Sequence, residues 1–93
     1  MYSVLFSNSA RKSLEKYARS GVFPQKKFRQ ALLCLREEKP LPVSFQDHQL
    51  KGSMSIYREF HLSYDLLVQY ERDDILCVIA INKIGTHTEF FGR

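Results

Sequence analysis

The sequence predicts an α+β fold of two layers: an antiparallel sheet with an N-terminal helical hairpin packed on one face and a short C-terminal helical turn. Three observations predict it. Apolar residues recur with helical period between residues 10 and 35, they recur with period two from residue 54 onward, and a capping-box pattern stands near the end. Ninety-three residues, 44% hydrophobic and 26% charged, fit a single domain, 1–93, with room for one small site.

Met1 to Phe6 is short and apolar, with Tyr2, Val4 and Phe6 on one parity, and reads as a strand. Ser7, Asn8 and Ser9 offer N-caps to a helix in which Ala10, Leu14, Tyr17 and Ala18 fall at i, i+4, i+7 and i+8. Gly21 is suited to its C-terminal end. Pro24 suits the first turn of a second helix, whose Phe28, Ala31, Leu32 and Leu35 repeat at i, i+3, i+4 and i+7 until Pro40 and Pro42 stop it. The two segments form the helical hairpin.

From Met54 to Leu62 the apolar residues Met54, Ile56, Phe60 and Leu62 share one parity, which predicts a half-buried strand, with Arg58 unplaced among them. Ser63 to Asp65 turn the chain into a strand over Leu66 to Glu71, and Arg72 to Asp74 turn it into Ile75 to Ile81. That last run is apolar on both parities, as a central strand covered on both faces would be. Short connections favour an antiparallel meander. In the tail, Gly85 to Arg93, Thr86 and Glu89 form a capping box that makes His87 the first residue of a helical turn, anchored by Phe90 and Phe91.

No apolar run approaches the roughly 18 residues of a membrane-spanning helix, and the N-terminal charges follow the apolar stretch, the reverse of a signal peptide. The expectation is a soluble, cytoplasmic protein with no membrane partner. Cys34 and Cys77 lie apart in apolar stretches with no metal-ligand spacing, and read as buried free thiols. The formal net charge of +4 hides a division: residues 1–36 carry eight basic side chains and one acid, for +7, and residues 37–93 carry six and nine, for −3. A helical hairpin with so few interspersed acids favours a polyanionic partner over a merely solvated face.

All three histidines follow residue 47, each near an element end: His48 before the meander, His61 closing a strand, His87 opening the final turn. The meander brings His61 and Asp65 across a tight connection and returns Lys83 and His87 to one end of the sheet, provided that register does not send His61 to the other face. Imidazole donates or accepts a proton near neutrality, a carboxylate orients it, and a lysine balances a phosphoryl oxygen. Phosphodiester cleavage needs that set, and no Ser-His-Asp elbow, Gly-rich phosphate loop or paired-carboxylate signature competes with it.

Four ordered motifs carry a family resemblance. Asp47-His48-Gln49-Leu50-Lys51-Gly52, Tyr57-Arg58-Glu59-Phe60-His61, Asp65-Leu66-Leu67-Val68-Gln69-Tyr70 and Lys83-Ile84-Gly85-Thr86-His87-Thr88-Glu89-Phe90-Phe91 resemble the YafQ-type toxins of the RelE/ParE toxin-antitoxin superfamily. The resemblance implies an mRNA endoribonuclease that inhibits translation, often on the ribosome, and a cognate antitoxin that neutralises it. It makes His48, His61, Asp65 and His87 the acid-base and substrate-contacting residues and Phe91 an aromatic of the same site. Lys83 stands where the family more often has arginine, one point charge in place of a bidentate fork. Ile56, Tyr64 and Leu66 replace a common glycine, proline and tryptophan.

The expected reaction is attack of the ribose 2′-OH on the adjacent phosphorus without metal or cofactor. One group among His48, His61 and Asp65 takes the proton, His87 protonates the leaving oxygen, and Lys83 stabilises the charge. Lys51, Arg58, Lys12, Lys16 and Arg19 are the further expected phosphate contacts, the last three on one face of the first helix. Two rival readings are a non-catalytic toxin that inhibits DNA gyrase, as in the ParE branch, and an inert binding module. The three histidines argue against the first, and the second survives if His61, Asp65 and His87 lie on opposite faces.

Overall fold

The computed structural model describes residues 1–92; Arg93, the last residue of the expected tail, lies outside them. Eight main elements follow in order: β1 (Ser3–Phe6), α1 (Asn8–Arg19), α2 (Gln25–Arg36), β2 (His48–Gln49), β3 (Arg58–Ser63), β4 (Leu66–Asp73), β5 (Val78–Gly85) and α3 (His87–Phe91). One sheet runs β1-β5-β4-β3-β2, antiparallel throughout except that β1 lies parallel to β5. Helices α1 and α2 cover one face, where Phe28 and Ala31 meet Phe60, Leu62, Val68, Tyr70, Ile79 and Ile81 in the core. No helix among the described residues is long and apolar enough to cross a membrane.

Local chemistry sets the helix limits. The Ser7 side chain accepts from the Ala10 N–H to start α1, and Gly21, at φ +77°, leaves it in a left-handed conformation that glycine adopts without steric cost. Pro24 stands at the cap position of α2 rather than inside its first turn. That helix ends at Arg36, short of Pro40, because the chain turns through a left-handed Glu38.

The strand expected over Met54 to Leu62 begins only at Arg58. Gly52, at φ +67°, opens a 3-10 turn through Met54, and the Tyr57 N–H donates to the Met54 carbonyl, so Met54 and Ile56 stay exposed. The strand expected over Ile75 to Ile81 is displaced toward the C-terminus. Asp73 accepts from the N–H groups of both Ile75 and Leu76, which fixes these apolar residues in an exposed hairpin turn. Only Ile79 and Ile81 of that run are fully buried, on the helix face, so it is not covered on both sides. Cys77 is exposed in the same turn and Cys34 is half-buried, so neither thiol is the buried one the sequence suggested.

Arg58 keeps the core parity of Phe60 and Leu62 but sits at the rim. It pairs with Asp47, Nη2 to Oδ2 at 3.1 Å, while the Tyr70 hydroxyl donates to Asp47 Oδ1 at 2.8 Å. The guanidinium therefore ends the core with an ion pair on the helix side of the sheet.

A bulge decides which residues leave the core. Tyr70 pairs with Ile81 and Gln69 with Lys83, so Asn82 is an extra residue. Parity flips there: Ile84 returns to the core, and Lys83 moves to the face away from the helices. The Asn82 side chain hydrogen bonds to Gln69 Oε1 across the irregularity.

Candidate active site

The face of the sheet opposite the helices is organised in rows by strand register. One row runs His48, Glu59, Gln69, Lys83, and the next runs His61, Leu67, Gly85. Successive rows along a strand lie roughly 7 Å apart. Helix α3 closes the end of this face. Its Phe90 is half-buried, with Lys83 Nζ 5.2 Å from the ring centroid, whereas Phe91 is 58% exposed and is not the anchor expected of it.

The histidines converge. Ring centroids step from His48 to His61 at 6.3 Å, from His61 to His87 at 5.9 Å and from His87 to Phe91 at 6.2 Å. His61, Asp65 and His87 therefore do not lie on opposite faces. His61, Asp65 and His87 line an open pocket of about 700 Å³, to which Ser63 at the end of β3 and Tyr64 of the β3-β4 turn also contribute.

Each ring is held by a different device. Asp65 Oδ1 accepts from both the backbone N–H of His87 at 3.0 Å and its ring Nδ1 at 2.6 Å. The backbone and then the ring hydrogen bond of His87 hold the Asp65 carboxyl below its usual range, so it is an acceptor and Nδ1 carries the proton. Nε2 of His87 is left for a substrate. His48 Nδ1 lies 2.8 Å from the Gln46 carbonyl, which likewise only accepts, and its Nε2 is 3.7 Å from Glu59 Oε1. Burial lowers the His61 pKa; Glu59 opposes the shift, and His87 and His48 add to it.

The α3 turn that carries His87 is itself fastened. Thr86 and Glu89 make both bonds of the expected capping box. The Glu89 carboxylate also accepts from the Tyr17 hydroxyl and from Lys16 Nζ, the latter at 3.2 Å. The Tyr17 hydrogen bond, then that of Thr86, lowers Glu89 to about 2, and burial, then the Glu89 bond, raises Tyr17 to about 12. A Cβ on Gly85 would stand 2.9 Å from Glu89 Oε1, so glycine allows this clasp to close. Lys16 is thus an α1-to-α3 fastener, while Lys12 and Arg19 remain exposed on the same helix and Lys51 on the turn after β2.

Two residues of the site were not singled out in the sequence. Glu59 is 5% exposed between His48 and Gln69, with Oε2 lacking any hydrogen-bond partner among the described residues. Its place on the parity of His61 was the available signal. Lys27 reaches the pocket from α2, its Nζ 5.3 Å from the Phe45 ring centroid, and nothing in the helix pattern distinguished it from its basic neighbours.

The chain is 35% identical over 60 residues to the mRNA interferase toxin YafQ of Escherichia coli strain K12, a match covering 64% of this chain and 63% of that relative. It therefore spans about 63% of the length of that relative. Among solved structures, a metal-bound toxin from Helicobacter pylori superposes with a TM-score of 0.90 at 31% identity, covering 98% of this chain and 100% of the other. YafQ in the E. coli DinJ-YafQ complex superposes with a TM-score of 0.82 at 26% identity, covering 99% and 100%. The model of YafQ, the bacterial toxin of type II toxin-antitoxin systems, matches residues 2–92, and the chain belongs to that family.

Proposed function

We propose that the chain is an endoribonuclease toxin that cuts mRNA and thereby inhibits translation, held in check by a cognate antitoxin. The observation that carries the reading is the Asp65-His87-His61 arrangement: an imidazole fixed by a carboxylate at 2.6 Å, facing a second imidazole whose pKa burial lowers. Cleavage proceeds by attack of the ribose 2′-OH on its own 3′-phosphorus. His61, kept neutral, accepts the hydroxyl proton, and His87 donates from Nε2 to the departing 5′-oxygen. Ring centroids 5.9 Å apart suit two groups that straddle one phosphodiester.

Asp65 is the orienting group of His87 and not the base, since both of its contacts go to that residue. His48, with Nδ1 bound to the Gln46 carbonyl, presents Nε2 beside Glu59 and assists from the neighbouring row. Lys83 and Lys27 neutralise charge on the phosphorane from two sides. Phe91, exposed beside His87, stacks on a base. These groups complete the reaction by proton transfer alone, so the mechanism calls for no metal or cofactor.

Lys12, Arg19 and Lys51 hold the flanking polyanion, either mRNA or the ribosomal RNA around it. The antitoxin partner is supported by the likeness to YafQ in the DinJ-YafQ complex. The site of action is the cytoplasm, where mRNA is translated. Brief induction in cells followed by mapping of RNA ends tests the reading. New internal mRNA ends that vanish with His87→Ala are expected, whereas intact mRNA with inhibited gyrase supercoiling would replace it with the non-catalytic alternative.

A further inference from the structure

The open sheet face does not end at the histidines. One row further from His61 than the Glu59–Lys83 row, register aligns Leu5 with Ala80 and Ala80 with Glu71, and Tyr57, next to Arg58 opposite Tyr70, comes beside Glu71. These four residues and Asn82 line a shallow depression of about 280 Å³. It lies roughly 7 Å along the strands from the His48–Lys83 row and about 13 Å from His61. Leu5 is 58% exposed and Tyr57 half-buried, so the floor and wall are apolar while the rim carries a carboxylate and an amide.

We propose that this depression is a base-reading subsite for the nucleotide flanking the cleaved bond, and that it favours guanine and disfavours uracil. The inference rests on the ribonuclease reading above. Three features carry it. Strand register puts the depression on the same face of the sheet as the catalytic rows, so an RNA strand that runs from His61 along β4 would pass over it. A phenol ring beside aliphatic side chains offers a stacking surface that any base can use. The Glu71 carboxylate only accepts hydrogen bonds, and guanine alone presents two adjacent N–H donors to it. Adenine and cytosine offer one amine, and uracil offers a single N–H flanked by two carbonyl oxygens that repel the carboxylate. Asn82, whose Nδ2 is engaged by Gln69, lies where it can meet the rest of the base edge.

The test uses defined single-stranded RNAs with one scissile step and each base in turn on either side of it, cleaved by the full chain with and without ribosomes. The expected result is a kcat/KM about tenfold higher for guanine than for uracil at one flanking position. Glu71→Gln should reduce that ratio to about twofold or less, by lowering kcat/KM for the guanine substrate and raising it for the uracil substrate. Tyr57→Leu should raise KM about tenfold for all four, and Tyr57→Phe should restore it. Equal kcat/KM for guanine and uracil at both positions, or an undiminished ratio in Glu71→Gln, overturns the subsite while leaving the ribonuclease in place. No cleavage of any RNA by the unaltered chain overturns the parent reading and the subsite together. Because Glu71→Gln changes neither size nor core packing, its ratio decides the matter even if Tyr57→Leu fails to fold.

Discussion

Asp65 holds His87 twice with one oxygen, through the backbone N–H at 3.0 Å and the ring Nδ1 at 2.6 Å. The first bond places the start of α3, and the second sets the tautomer of its first side chain. Position and protonation of the proposed acid thus come from a single residue on the β3-β4 turn. Asp65→Asn keeps the shape but exchanges an anionic acceptor for an amide that also donates. We expect kcat for RNA cleavage to fall about 100-fold with KM changed less than about twofold, read by steady-state kinetics on a short RNA. A loss confined to KM would make Asp65 a substrate contact instead.

The lowered pKa of His61 fixes a sign for the pH profile. Burial disfavours its charged form, so the residue remains a competent base as pH falls through the ordinary imidazole range near 6.5. The acid limb of kcat/KM should therefore lie below 6.5. Glu59 opposes the shift, and Glu59→Gln should move that limb further toward acid. A limb moving the other way would break the link.

The Tyr17-Glu89 clasp should be visible in acid. Glu89 titrates near 2 in the fold against an ordinary 4.5, so it favours the folded state above pH 4.5, and this contribution disappears as pH falls to about 2. Tyr17 has the opposite sense: raised from 10 to about 12, it contributes below pH 10 and loses that contribution as pH rises through 12. Urea unfolding of Glu89→Gln from pH 7 to 3 should give a flatter acid limb than the unaltered chain. An identical limb would mean that the carboxylate is not held as described.

The Arg58-Asp47-Tyr70 cluster predicts a stability phenotype. Burial, then the Asp47 hydrogen bond, pushes the Tyr70 hydroxyl up, and the Arg58 guanidinium shares the same carboxylate. Asp47→Ala leaves the Tyr70 hydroxyl without its acceptor and Arg58 with the Tyr70 oxygen alone, and should cost about 1.5 to 3 kcal/mol in urea unfolding. Arg58→Met should lower stability while leaving the salt dependence of RNA binding unchanged. A slope reduced by about 0.7 would restore Arg58 to the phosphate contacts.

Which parts of this molecule were legible in its sequence follows from how local their causes are. The hairpin helices, the capping box at Thr86 and Glu89 and the meander depend on neighbours a few residues apart, and their patterns survive in the fold. The starts of β3 and β5 do not, because Gly52 and Asp73 organise turns inside stretches whose apolar alternation looks like strand. Residues Met54, Ile56, Ile75 and Leu76 are apolar without a second layer to cover them. At the site, His61, Asp65 and His87 were found by type and order. Glu59 and Lys27 needed three dimensions: one is a buried acid on the histidine parity, the other a helix lysine that only the packing of α2 brings to the pocket. The bulge at Asn82, which turns Lys83 out of the core, has no sequence signal that we recognise.

In the proposed reaction two imidazoles, one fixed by Asp65, cut RNA by proton transfer. Its most direct test is the chemistry of the ends left on a defined RNA by the purified chain in the presence of EDTA, compared with His87→Ala. A 2′,3′-cyclic or 3′-phosphate and a 5′-hydroxyl are predicted, with the rate lowered about 10²- to 10⁴-fold in a variant that still folds. Ends bearing a 3′-hydroxyl and a 5′-phosphate, or full cleavage by His87→Ala, would contradict it.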